Sequence, residues 1–573
     1  MWNGVQVMNI IFSFLPLLLM IGIIVLVVRK ISGREASSGS SAQPVRLFFQ
    51  YALAFGLFII VNIGLAGLLG RVIDPSNIVS SDQAGLASNL AFVVVGGPLL
   101  AGISIWIKRS IAANPHDSQG FVPTFFATLA AVISLLVFMS STIDAVQSAI
   151  ANEPFYGQSL STAIVWGIAL AVIIRIANRV LPPADFQIHY FVGSLITAIA
   201  GVVGLVKVIG GSLSLIFGLQ KSAIVTIGNS SAIDGLVILV IAASLWTFYW
   251  VKNANQRSET GLWFGYVLLA GVGGSLVLAV TSSIIAIYRV LVWFIGDPTS
   301  DVATTYFAGT PTAVASALVG TLAWWYHKSL LPLRTERTET HRVYEYLMSA
   351  ISLIASTVGL AIVIVAVIEA LTPNVIVDDE GAINTLLGAA TVILVGAPVW
   401  WHYWSWIQKL VKQSPDSELT SPIRRVYLFT LFGVGGIAAI ISLITVVYQL
   451  FEGILSSNLG ASTVNEMRFA LGILISTGIV AAYHWEIYRH ERNVEVTYAT
   501  KQLNVLLVGP EDTELIHDLK ATTGAKVSFL QRTDVNELTW PTEHVIELVT
   551  QSKEQDLLVL LEATGVKVIP VVS

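Results

Sequence analysis

The chain has 573 residues, of which 55% are hydrophobic and only 12% charged, with a mean hydropathy of +0.76 and a formal net charge of −5. Soluble domains carry about 25% charged residues, so most of this chain avoids water, and its acidity gives no ground for nucleic-acid binding. It has no cysteine, which excludes disulfides, thiolate metal sites, cysteine nucleophiles and thiol lipidation.

A membrane-spanning helix needs about 20 mostly apolar residues. The first such run is 9–31. Its leading stretch, MWNGVQVMNI, has no positive charge, its apolar core is too long for a signal peptide, and no small-residue cleavage site follows. Residues 1–33 read as an uncleaved anchor, and 34–44 as a polar Ser/Gly-rich linker. Twelve more runs follow near 45–70, 86–107, 122–150, 160–180, 187–217, 233–251, 263–295, 312–328, 343–371, 382–408, 426–455 and 466–489.

Short cytoplasmic loops collect Lys and Arg. The loops after the odd-numbered runs hold 20 of them, from Arg29 and Lys30 to Arg489 and Arg492. The loops after the even-numbered runs hold only Arg71, Lys221 and Arg468. This alternation predicts an outer N-terminus and a cytoplasmic C-terminus, in a multi-pass protein of the cell membrane.

The chain repeats itself. VVGGPLLAGISIWIKR (Val94 to Arg109) returns 300 residues later as LVGAPVWWHYWSWIQK (Leu394 to Lys409), keeping Gly96, Pro98, Trp106 and Ile107 as Gly396, Pro398, Trp406 and Ile407. RVYEYLMSAISL at Arg342 and RVYLFTLFGVGG at Arg425 stand 83 apart, as do Glu369 and Glu452; GVGG occurs at Gly271 and Gly433. Residues 45–495 therefore read as six helical hairpins in one orientation, because a unit with an even number of spans cannot invert. Glycine-rich stretches let such helices approach closely.

The aromatic-then-basic ends, AWWYHKSL, LWTFYWVK and AAYHWEIYR, read as rings at the membrane interface. His327, His402 and His484 near three of these ends also suggest facing haem or metal ligands. No Glu-x-x-His pair supplies a second ligand, and the expectation is no cofactor.

Ionisable residues within membrane helices are default functional candidates. Asp144, Lys207, Arg289 and Glu369 lie in the outer part of their helices. They read either as snorkelling to the interface or as pairs around an outward-facing cavity, the acids with Lys207 and Arg289. No nucleophile–base pair or metal motif indicates an enzyme.

From Gln502 the composition changes. LNVLLVG, KVSFLQ, DLLVLL and VKVIPVV read as strands, and EDTELIHDLKATTG and TEHVIELVTQS as helices. Residues 502–573 form a small α/β domain with eleven acidic and five basic residues. Its strand-turn-helix at VLLVGPEDTEL has neither G-x-G-x-x-G nor a Walker lysine. The expected partners are the lipid bilayer and a protein bound by this domain.

The segments RVYLFTLFGVGGIAAIISLITVVYQLFEGIL and LVGAPVWWHYWSW resemble an uncharacterised bacterial family of repeated two-helix membrane hairpins, the domain of unknown function five-six-seven-one. The resemblance runs from about 45 to 490 and is weakest in the second and third hairpins, where IVWGIALAVIIRIANRV lacks the glycine-proline and the aromatic end. It implies an all-α polytopic fold and a bacterial inner membrane location, and no activity. A non-enzymatic scaffold or sensor is the first functional expectation. A transporter or channel using the outer polar residues is the alternative.

Overall fold

The computed structural model describes residues 42–74, 83–118, 120–150, 157–182, 187–219, 230–257, 260–331, 339–372, 382–419, 421–492, 503–510, 512–523, 525–532, 539–552, 556–562 and 565–571. The expected anchor helix lies outside them. Among the described residues twelve helices are long and apolar enough to cross a membrane. They are α1 (Ala42–Ile73), α2 (Gln83–Ala113), α3 (Phe121–Ile150), α4 (Gly157–Val180), α5 (Ile188–Ile216) and α6 (Ser230–Trp246, continuing as π-helix through Thr247–Ala254). Then come α7 (Gly261–Ile295, π-helical over Gly265–Gly274), α8 (Thr310–Ser329), α9 (Glu339–Leu371), α10 (Ala382–Gln413), α11 (Pro422–Leu455) and α12 (Arg468–Arg492). In hydrocarbon every backbone polar group needs an internal partner, and a helix supplies it. Pro98 and Pro398 sit at matching places inside α2 and α10, and both helices continue through them.

The described residues divide into two compact bodies, one within 1–336 and 376–396 and the other within 337–375 and 397–573. The packing repeats every four helices rather than every two. α1 packs on α2 and α4, and α3 on α4; α5 packs on α6 and α8, and α7 on α8; α9 packs on α12, and α11 on α12. The first helix of each four thus meets the fourth. At the start of α10, Asn384 donates to the Asp297 carbonyl (2.8 Å) and accepts from the Asp297 N–H (3.0 Å) just past the end of α7.

Two kinds of contact hold these helices. The first is close backbone approach at glycine. A Cβ on Gly204 of α5 would lie 2.6 Å from the Leu239 nitrogen of α6, and one on Gly235 of α6 would lie 2.9 Å from the Gly204 carbonyl. One on Gly320 of α8 would meet the Ala279 nitrogen at 2.7 Å.

The second is a polar clamp at the helix ends, made twice. At the start of α1 Arg46 binds Asp117 at 2.8 Å, and Ser110 at the end of α2 donates to the same carboxylate at 2.6 Å. Asp117 is fully buried on the turn Pro115–Ser118 that enters α3. At the start of α9 Arg342 binds Glu418 at 3.0 Å, again a buried acid on the turn (Pro415–Leu419) entering the third helix. Arg342 also holds Glu339 (2.6 Å), which accepts from Ser421 (3.0 Å). The opposite ends are joined too. Ser161 of α4 donates to the Ala66 carbonyl of α1 at 2.9 Å, and Asn465, just before α12, donates to Thr372, just after α9, at 2.8 Å.

The C-terminal domain is the expected mixed α/β unit. Strands β1 (Asn504–Gly509), β2 (Lys526–Gln531), β3 (Asp556–Glu562) and β4 (Gly565–Pro570) form one sheet in the order β2-β1-β3-β4, parallel except for β4. Helices α13 (Thr513–Thr523) and α14 (Thr542–Gln551) touch each other. Val505, Leu507, Leu557, Val559 and Leu561, alternating along β1 and β3, bury against Leu515, Leu519, Val545 and Val549. This core is built entirely from the domain's own residues.

A helix N-terminus after a strand is where a phosphate would bind. Here the Asp512 carboxylate takes that place, accepting from the Glu514 and Leu515 N–H groups at 3.0 Å each. The Trp540 indole covers Gly509 and donates to the Pro510 carbonyl at 2.8 Å.

Two outcomes follow. Gly204→Ala should lower the thermal midpoint in detergent, since overpacking of this kind costs about 1–3 kcal/mol. Gly97→Ala, where a Cβ meets nothing within 4 Å, should leave it unchanged or raise it; equal midpoints for the two variants would discredit the glycine contact. The fragment 502–573, followed by its single tryptophan, Trp540, should unfold cooperatively and show no fluorescence response to ATP or NAD.

Candidate functional site

The aromatic helix ends expected at the membrane interface serve two purposes. Trp106, Trp325, Trp401 and Trp406 are exposed, as interfacial rings would be, but Trp250 and Trp404 are buried between helices. Each of these two is the centre of a four-residue cluster, and the clusters are copies. In one, Trp250 (α6), Tyr266 (α7) and the neighbouring pair Tyr326 and His327 (α8) meet. In the other, Trp404 (α10), Tyr427 (α11) and the pair Tyr483 and His484 (α12) meet.

The correspondence extends to the bonds. The Trp250 Nε1–H donates to the Tyr326 hydroxyl at 2.9 Å, and the Trp404 Nε1–H to the Tyr483 hydroxyl at 2.8 Å. His327 and Tyr266 ring centroids stand 5.7 Å apart, and His484 and Tyr427 5.8 Å. Both histidines place Nδ1 on the carbonyl four residues back, Ala323 at 2.7 Å and Val480 at 2.8 Å. A carbonyl only accepts, so Nδ1 carries the hydrogen and Nε2 keeps its lone pair. Both Nε2 atoms are buried and have no hydrogen-bond partner among the described residues. His327 is 7% exposed and His484 0%.

The surroundings differ. Trp250 and Tyr266 both sit on the π-helical stretches of α6 and α7. A Cβ on Gly271 of α7 would strike the His327 ring, so only glycine admits it. In the other cluster Tyr427 shares a 2.9 Å hydrogen bond with Ser349 of α9, and the Arg424 guanidinium lies 5.9 Å from the Trp404 ring centroid. Arg424, 1% exposed, binds Glu491 at the end of α12 through two nitrogens (Nε to Oε2, 2.9 Å; Nη2 to Oε1) and donates to the Tyr346 hydroxyl at 2.8 Å. Among the described residues the first four helices show no such cluster: 300 residues before Trp404 stands Ser104.

The four candidate ionisable residues do not assemble into one site. Glu369 pairs with Arg468 of α12 at 3.3 Å. Arg289 turns back onto the Tyr306 carbonyl at 3.1 Å, and its guanidinium lies against Gly309. Asp144 and Lys207 are exposed. His402 is exposed, apart from the buried cluster on its own helix. Among the described residues no group of three or more His, Cys, Asp or Glu gathers to hold a metal ion.

Residues 47–175 and 342–479 each match the model of one family, described as Domain of unknown function (DUF5671). The chain carries this domain in two copies. Each match spans one set of four helices, α1 to α4 and α9 to α12; α5 to α8, where the sequence resemblance was expected to continue, lies between the matches. No curated protein and no solved structure matches the chain. The molecule is a multi-pass membrane protein, and the domain that its two segments match is one of unknown function.

The clusters predict parallel losses. Tyr326→Phe and Tyr483→Phe each leave a buried indole N–H unpaired, a cost of about 1–3 kcal/mol, and both should lower the thermal midpoint by similar amounts. Trp404→Phe combined with Tyr483→Phe should cost less than the sum of the single changes; strict additivity would mean the bond is not made.

Proposed function

We propose that the chain is a non-enzymatic membrane scaffold or sensor, whose helices anchor the C-terminal α/β domain at the cytoplasmic face of a bacterial inner membrane. The observation that carries this reading is where the buried charge goes. Arg342, Arg424, Asp117 and Glu418 are all buried, and each is joined to another part of the chain in a way that fixes one helix end to another. Breaking a buried pair leaves a charge uncompensated, at a cost of about 3–5 kcal/mol, so such pairs are suited to holding a fold and ill suited to passing ions.

The 20-to-3 basic bias supports the orientation. Arg46, Ser110 and Asp117 meet at one end of their helices, as hairpins with a common basic end require. The capped and covered end of β1 favours a protein partner for the α/β domain over a nucleotide. The transporter or channel reading draws on one feature, that Lys207 makes no hydrogen bond or ion pair among the described residues.

Flux separates the two. Purified protein in vesicles should carry ions and small solutes no faster than empty vesicles, and Lys207→Met should fold as well as the wild type or better. Wild-type flux that Lys207→Met or Asp144→Asn alters would make the transporter reading the better one.

A further inference from the structure

The two aromatic–histidine clusters are the same device in different electrical settings. Three residues before Tyr427 stands Arg424; three residues before Tyr266 stands Trp263. Seven residues after His484, two helical turns along the same face, stands Glu491; seven after His327 stands Arg334. The second cluster is wired to the Arg424–Glu491 ion pair, and that ion pair holds the end of α12, the helix that leads in sequence to the α/β domain.

The groups of the cluster around His484 come from four helices. α9 contributes Tyr346, whose hydroxyl is taken by Arg424, and Ser349, which bonds Tyr427. α10 contributes Trp404, 5.6 Å from the imidazole between centroids. α11 contributes Tyr427 and Arg424, whose guanidinium lies 5.9 Å from the centroid of the same Trp404 ring that His484 meets. α12 itself contributes Tyr483 and, two turns on, Glu491. The one carboxylate in this set is already held by Arg424 through two contacts. A neutral imidazole fits such a place. An imidazolium would be a second buried cation beside Arg424, with no anion of its own.

We propose that His484 is a proton sensor: a proton taken from solvent onto its Nε2 breaks the Arg424–Glu491 pair and releases the end of α12, freeing the α/β domain to move. The proposal rests on the sensor reading above and supplies its stimulus. The sign follows from which state accepts the proton. The clamped state, with Arg424 beside the imidazole and the Glu491 carboxylate already taken, has no place for it; the released state, open to water, does. The clamp is therefore strongest at neutral and higher pH and weakens progressively as the solution is made acidic.

Amide hydrogen exchange of the full chain in lipid nanodiscs tests this, read on peptides covering 485–492 and corrected for the chemical exchange rate. Between about pH 7.5 and about pH 5.5 the fraction open should rise, by no more than about tenfold per pH unit for a single proton. His484→Asn should remove the rise, and His327→Asn should keep it. Glu491→Gln should leave this end open at both pH values. A flat wild-type profile overturns the proposal, as does a rise that survives in His484→Asn. Where that variant does not fold, a full pH-dependent rise in Glu491→Gln overturns it instead. Vesicle flux in the wild type would defeat the scaffold reading on separate grounds, whereas a flat exchange profile without flux defeats only the proton step.

Discussion

Lipid gives helices no hydrophobic reason to associate, because the acyl chains around them are as apolar as their own side chains. Everything beyond the single helix must then come from close packing and from polar groups that find partners in each other. The structure uses both sparingly and at defined places. Glycines at Gly204, Gly235 and Gly320 bring backbones into contact in mid-helix. Arg46 with Asp117, and Arg342 with Glu418, close the ends. The Trp–Tyr hydrogen bonds tie the second helix of a set to the fourth.

These contacts explain why the natural unit is four helices. A hairpin alone joins neighbours in sequence; the end clamps join the start of a first helix to the turn before the third, and Ser161 or Asn465 joins the far end of the first to the fourth. The two matched copies of the domain have these clamps in equivalent positions. The four helices between them, α5 to α8, lack a family match but pack first on fourth and third on fourth in the same way. They also carry the Trp250–Tyr326–His327 cluster that the third set repeats 154 to 157 residues later. The packing pattern is shared there where the sequence match is not.

Much of the fold was legible in the sequence, because span length, basic loops and strand alternation are local properties. Twelve of the thirteen expected spans fall on described helices, and the four expected strands of the terminal domain are present. The four-residue clusters were not legible. An indole at a helix end reads the same whether it is exposed, as Trp401 is, or buried against a neighbouring helix, as Trp404 is. The signal that separates them was present as a pairing rather than a composition: the Tyr-His dipeptides at 326–327 and 483–484, each on a helix following a GVGG segment. Glu369 likewise looked like a lone membrane acid because its partner, Arg468, looked like a loop residue; the pair forms only when the first helix of the set meets the fourth. Lys207 stays exposed, and nothing local distinguished it from a buried candidate.

The contact of first helix with fourth is the feature on which this architecture stands, and the absence of cysteine makes it directly accessible. Engineered cysteine pairs at Gly70 and Ser161, at Gly210 and Thr312, and at Val365 and Gly472 each bridge a first and a fourth helix where a built Cβ lies 3.1 to 3.3 Å from the opposing residue. Mild oxidation in native membranes should cross-link all three pairs, including the one in the unmatched middle set. Cross-links confined to pairs within sequential hairpins, with none between first and fourth helices, would contradict the account.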